Sequence, residues 1–153
     1  MPGIYGNESP PRTLMKNRIL LADDDFAVRE LLARALKSED FEVVQARNGH
    51  EAIFQMVASR PDLVLLDLNM PEKDGWQSYD VIERMNPMLP VIIITAMPEQ
   101  HAHAVRLGID ALMEKPLDIP LLVSTVRRLL AEPEASRLRR LTRGDFQTER
   151  LHH

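Results

Sequence analysis

From Arg18 onward the chain alternates short β-branched or leucine-rich runs with amphipathic stretches. This alternation constrains the fold more than any other feature, because strand-then-helix units repeat when each helix crosses back over a parallel sheet. Five such pairs can be traced. Arg18–Ala22 reads as the first strand, and Val28, Leu31, Leu32, Ala35 and Leu36 recur at helical spacing to give the next helix one apolar face. Residues 41–45 read as the second strand, followed by an Asn48-Gly49 turn and a helix with Ala52, Ile53, Met56 and Val57 on its buried side. A third strand spans 63–66, entered through Pro61-Asp62, and a helix over 76–85 follows a turn at 71–75. Val91–Thr95 is nearly all apolar, as expected of a strand covered on both faces. A helix over 99–107 stops at Gly108, Ala111–Glu114 is a short fifth strand, and a helix over 119–130 closes the body with Ile119, Leu122, Val123, Val126 and Leu130 inward.

The expected fold is therefore α/β, a doubly wound five-stranded parallel sheet with helices on both faces, and 153 residues suit one such domain. Its body is expected over 17–131. Residues 1–16, rich in Gly and Pro, read as a flexible arm. Residues 132–153 read as a C-terminal extension, with a helix as one reading of it and no output domain. The net charge of −4 argues against a chain that coats nucleic acid or an anionic membrane. Cysteine is absent, which removes disulfides, thiolate metal sites and thiol nucleophiles together. The longest apolar runs are far shorter than the ~20 residues of a membrane span, and the N-terminus lacks the run of a secretory signal. A cytoplasmic address is the expectation.

In a parallel sheet with right-handed crossovers the C-terminal strand ends share one edge, where ligands of open α/β sheets bind. Asp23, Asp24 and Asp25 follow the first strand and Asp67 follows the third. Close carboxylates raise one another's pKa unless a hard cation with oxygen ligands joins them, and magnesium suits such a set. Asp25 alone has a simpler role as a helix N-cap. Thr95 ends the fourth strand and Lys115 follows the fifth, adding a hydroxyl and an ammonium. Carboxylate, metal, hydroxyl and ammonium on one edge make a phosphoryl-accepting site, with Asp67 as nucleophile and Thr95 and Lys115 on the phosphoryl oxygens.

Through ILLADDD, ARNGHEAI, PDLVLLDLNMPEKDG, VIIITA and MEKP, residues 17–131 resemble the stand-alone, CheY-like receiver domain of two-component response regulators. The resemblance implies a flavodoxin-like sheet in the order 2-1-3-4-5. It implies phosphorylation of Asp67 by a sensor histidine kinase or histidine phosphotransfer protein. Mg2+ would be held by Asp23 or Asp24, Asp67 and the Asn69 backbone carbonyl. Thr95 and Lys115 become the switch pair, and Lys115-Pro116 a cis peptide, which costs an X-Pro bond only ~0.5–1 kcal/mol. One departure stands out: the position three before the lysine, usually Tyr or Phe, is Leu112. A smaller rearrangement of the output face is expected from it. Asn69 and Met97 flank the path of an attacking water and are expected to tune the lifetime of the acyl phosphate.

His101 and His103, two apart on a helix, face different sides and suggest no shared metal; His50 reads as a loop residue. Trp76 reads as a packing residue. Arg137, Arg139, Arg140 and Arg143 suggest a basic patch, with Leu138, Leu141 and Phe146 a short apolar stripe. For this tail a solvated extension, a docking segment and a linker cut before an output domain all stand open. The expected function is a switch that signals by partner binding or phosphorelay, without direct nucleic-acid contact, and that is no turnover enzyme. Its downstream target has no mark in the sequence, and a homodimer through the helices over 99–107 and 119–130 is open. Two rival readings are a phosphorylation-independent adaptor and a magnesium-dependent phosphohydrolase. Against the second, Asn69 stands where an acid/base aspartate would be needed.

Overall fold

All five expected strands form in the computed structural model, which describes residues 16–70, 75–96, 109–143 and 149–151. In chain order they are β1 (Arg18–Ala22), α1 (Phe26–Ser38), β2 (Glu42–Ala46), α2 (Gly49–Ala58), β3 (Leu63–Asp67), α3 (Gly75–Met85), β4 (Val91–Thr95) and β5 (Ala111–Glu114). There follow α4 (Ile119–Ala131), α5 (Glu134–Arg143) and a last strand β6 (Glu149–Leu151). The arm at 1–15 and the helix expected over 99–107, with His101 and His103, lie outside the described residues. Among the described residues no helix is long and apolar enough to cross a membrane.

The strands stand in the order β2-β1-β3-β4-β5-β6, all pairs parallel. The five of the body thus keep the expected 2-1-3-4-5 order, and the C-terminal extension adds a sixth at the β5 edge. The side-chain period of two divides the strand residues between two cores. Ile19, Leu21, Leu63, Leu65, Ile92, Ile94, Ala111 and Met113 face α1 and α4. Leu20, Ala22, Val64, Leu66, Val91, Ile93 and Leu112 face α2 and α3. Every residue of β3 and β4 is buried, which is why those strands lack polar alternation.

Helix faces depart from expectation in detail. The buried stripe of α1 is Arg29, Leu32, Ala33 and Leu36, so Leu31 is turned out and 57% exposed. Val28 and Ala35 are half-buried. In α2 the stripe is Gly49, Ala52 and Met56, with Ile53 half-buried and Val57 exposed. Both stripes sit about one residue off those inferred, because periodicity gives a stripe's spacing but not its centre. His50 lies in the first turn of α2 rather than in a loop, exposed as expected of an ordinary residue. Asn48 caps that helix through its side chain, which accepts from the Glu51 amide.

Strand β2 starts one residue later than expected. Asp40 takes a left-handed φ of 72°, its amide bonds Lys37 O, and the Phe41 amide returns to Leu36 O. This Schellman-type closure consumes Phe41, so the ladder begins with Glu42 opposite Arg18.

Candidate functional site

Asp23, Asp24 and Asp67 gather at the C-terminal strand edge, with one carboxylate oxygen of each within 4.8 Å of the others. Asp23 is fully buried and its Oδ1 accepts the Asp25 amide at 2.9 Å. Asp25 itself caps α1, its carboxylate accepting from the amides of Ala27 and Val28, so the capping role holds for it. Asp24 is exposed at the mouth of the site. Asp67 is 1% exposed, and the Asn69 amide donates to its Oδ1 at 3.1 Å.

The remaining oxygens, Oδ2 of Asp23 and Oδ2 of Asp67, are buried without a hydrogen-bond partner. Lys115 Nζ lies 3.6 Å from the first and 3.5 Å from the second. Burial pushes the Asp23 carboxyl up to about 6; the neighbouring Asp67 charge adds to this, while the Asp25 amide and Lys115 oppose it. Two orphaned carboxylate oxygens, an exposed third carboxylate and one ammonium leave an excess of negative charge. An all-oxygen donor set of that kind fits a hard divalent ion such as Mg2+, with Asp23, Asp24 and Asp67 as its holders.

The sheet places the other expected residues. Thr95 is buried at the end of β4, and its carbonyl accepts the Lys115 amide at 2.8 Å. Lys115-Pro116 is cis. Leu112 is fully buried in the α2 and α3 core, so no part of it reaches the surface. The Asn69 side chain is exposed beside Asp67, while Met97 lies outside the described residues. Trp76 is partly buried and packs edge-on to Tyr79 with ring centroids 6.3 Å apart.

Two supports escaped the sequence reading. Arg29 is buried, its Nη1 donating to Asp23 O at 2.8 Å and its Nε to Gln45 Oε1 at 2.9 Å. It thereby fixes the main chain that carries Asp23. The available signal was a charge on the buried stripe 29, 32, 33, 36. Replacing it by methionine is expected to leave the Asp23 carbonyl without this donor and weaken magnesium binding about ten-fold, read by Trp76 fluorescence titration.

Gly75 is the second. A Cβ there would sit 2.4 Å from Leu68 Cα and 2.8 Å from Asp67 O, both backbone atoms. The Gly75 amide also donates to Leu68 O at 3.1 Å. Gly75→Ala must therefore displace the backbone of Asp67 itself, and it is expected to cost about 2–3 kcal/mol in urea denaturation.

The family model for the response regulator receiver domain matches residues 19–127. The chain is 36% identical over 118 residues to the response regulator MprA of Mycolicibacterium vanbaalenii, covering 76% of this chain and 51% of that one. It thus spans about half the length of that relative. A CheY-like receiver domain protein from Methanospirillum hungatei shares the fold, with a TM-score of 0.74 over 79% of this chain and 98% of the other at 24% identity. TrrA from Thermotoga maritima, solved in complex with Mg2+ and BeF, has a TM-score of 0.69 at 30% identity, covering 74% of this chain and 98% of the other. The chain belongs to the response regulator receiver domain family, and so to the proteins of two-component signalling.

Proposed function

We propose that this chain is a phosphorylation switch, taking a phosphoryl group on Asp67 from a sensor histidine kinase or histidine phosphotransfer protein in a Mg2+-dependent reaction. The single observation that carries the reading is the pair of buried, orphaned oxygens on Asp23 and Asp67 with Lys115 Nζ within 3.6 Å of both. TrrA, with its bound Mg2+ and BeF, supports the same assignment by similarity.

The Asn69 amide holds one oxygen of Asp67 and leaves the other without a hydrogen bond. That carboxylate attacks the phosphorus of a phosphohistidine: an O–P bond forms as the P–N bond breaks, and the imidazole leaves with the electron pair and takes up a proton. Lys115 and the Thr95 hydroxyl receive charge that builds on the phosphoryl oxygens. Magnesium, held by Asp23, Asp24, Asp67 and the Asn69 carbonyl, would supply charge neutralisation for the incoming group. Chemistry stops at the acyl phosphate and its own hydrolysis, so the chain is a switch and no turnover enzyme. Partners read the state by direct protein contact, in the cytoplasm.

Adding beryllium fluoride and magnesium to the wild-type chain is expected to give bound fluorine resonances by 19F NMR, absent in Asp67→Asn. Bound signals of equal strength in both chains would refute Asp67 as the acceptor. A second reading, a receiver joined to an output domain, is favoured by the 51% coverage of MprA. The mass of the native protein in cell extract separates the two.

A further inference from the structure

The phosphoryl site uses neither of the two contacts made by the C-terminal extension. Strand β6 pairs parallel to β5 with 111 opposite 149, 112 opposite 150 and 113 opposite 151. Leu151 is 6% exposed and joins the core of α1 and α4. Helix α5 carries Arg137, one of the four arginines of the expected basic patch, which faces inward, while Leu138 is exposed. Arg137 forms a forked ion pair with Asp110: Nη1 bonds Oδ1, and Nη2 lies 3.0 Å from Oδ2. Nη2 also reaches Leu89 O at 3.3 Å, and Asp110 Oδ2 accepts the Val91 amide at 2.9 Å. The guanidinium thus ties together the approach to β4 and the residue preceding β5.

An open sheet edge offers unpaired N–H and C=O groups to any extended segment of suitable sequence. Here the edge is filled by ladder pairing, an apolar plug and a charged anchor in a buried socket. These are the parts of a peptide-binding site, and the ligand is the chain's own tail.

We infer that the outer edge of β5, with the Asp110 socket, is a binding surface for an extended protein segment, and that α5 and β6 are its built-in competitor. The segment it fits pairs parallel to β5, carries a leucine-sized side chain where Leu151 lies and presents a guanidinium to Asp110. Such a partner binds only as the tail leaves, so its affinity is set against an occupant at high effective concentration. Strand β5 runs directly into Lys115, so this surface and the carboxylate site share a strand. The inference stands whether or not Asp67 is phosphorylated.

The test uses the chain of residues 1–153 and a fluorescein-labelled peptide of residues 132–153. Leu151→Asp, which keeps the Arg137 pair, is expected to bind the peptide at least about ten-fold tighter than wild type, since its own strand competes poorly. A peptide carrying Arg137→Ala is expected to lose at least about ten-fold toward the same variant. If Leu151→Asp does not fold, Arg137→Lys replaces it as receiver of the wild-type peptide, with the same direction expected. Equal affinity for wild type and a folded variant overturns the inference. So does a wild-type dimer that Leu151→Asp dissociates, for then the edge is filled by a second copy and no competitor sits in cis.

Discussion

Lys115→Ala is expected to slow phosphorylation of Asp67 by acetyl phosphate about 10²–10³-fold, the usual cost of removing one preorganised donor from developing charge. Lys115 Nζ lies 3.5 Å from Asp67 Oδ2 and 3.6 Å from Asp23 Oδ2 and so serves both carboxylates. It is only 23% exposed, so water replaces it poorly as a source of stabilisation. Lys115→Arg keeps the charge but not the compact ammonium, and it should recover part of the rate. The measurement is the rate of adduct formation by mass spectrometry at fixed magnesium. A loss of less than about five-fold, near 1 kcal/mol of barrier, would mean that Lys115 does not contact the reacting group.

The second large effect concerns Asp23 in magnesium-free buffer. Burial pushes its carboxyl up from the free value of 3.8 to about 6 in the folded chain. A raised carboxyl pKa means that the folded state holds the proton more tightly than the unfolded chain does. Stability from this group is therefore fullest below pH 4, falls as pH rises from about 4 to 6, and stays low above. A shift in this direction is a stability cost on the order of a few kcal/mol above pH 6. Asp23→Asn removes that loss: its amide keeps an acceptor for the Asp25 N–H and gains a donor for Asp67. At pH 7.5 with EDTA the variant is expected to melt about 6–12 °C above wild type. Magnesium should raise the melting temperature of wild type and leave the variant nearly unmoved. A wild-type-minus-variant stability difference that stays flat from pH 4 to 7 would contradict the assignment.

How much of this was legible depended on the range of the forces involved. The five strands of the body were visible, because β3 and β4 are continuous apolar runs and the helices between carry a 3.6-residue stripe, whereas their order came from the family resemblance. Asp23, Asp24, Asp67, Thr95 and Lys115 were visible as strand-end residues, since a parallel sheet delivers its C-terminal ends to one place. Arg29 was missed because its partners, the Asp23 carbonyl and Gln45, are met only through the fold. Gly75 was read as a turn glycine. Its demand for space comes from the backbone of Asp67 and Leu68, which no local pattern reveals. The tail was the least legible part. Arginines at 137, 139, 140 and 143 read as a basic patch with its role open, and a partner of Arg137 is Asp110, 27 residues earlier. A strand of three residues, Glu149–Leu151, is too short to show an alternation of its own.

The most direct test of the account is the intact mass of the protein after incubation with acetyl phosphate, with and without magnesium, on wild type and Asp67→Asn. The account predicts a single phosphoryl adduct on wild type that requires magnesium and is missing from Asp67→Asn. No adduct on a folded wild-type chain, or an equal adduct on Asp67→Asn, would contradict it.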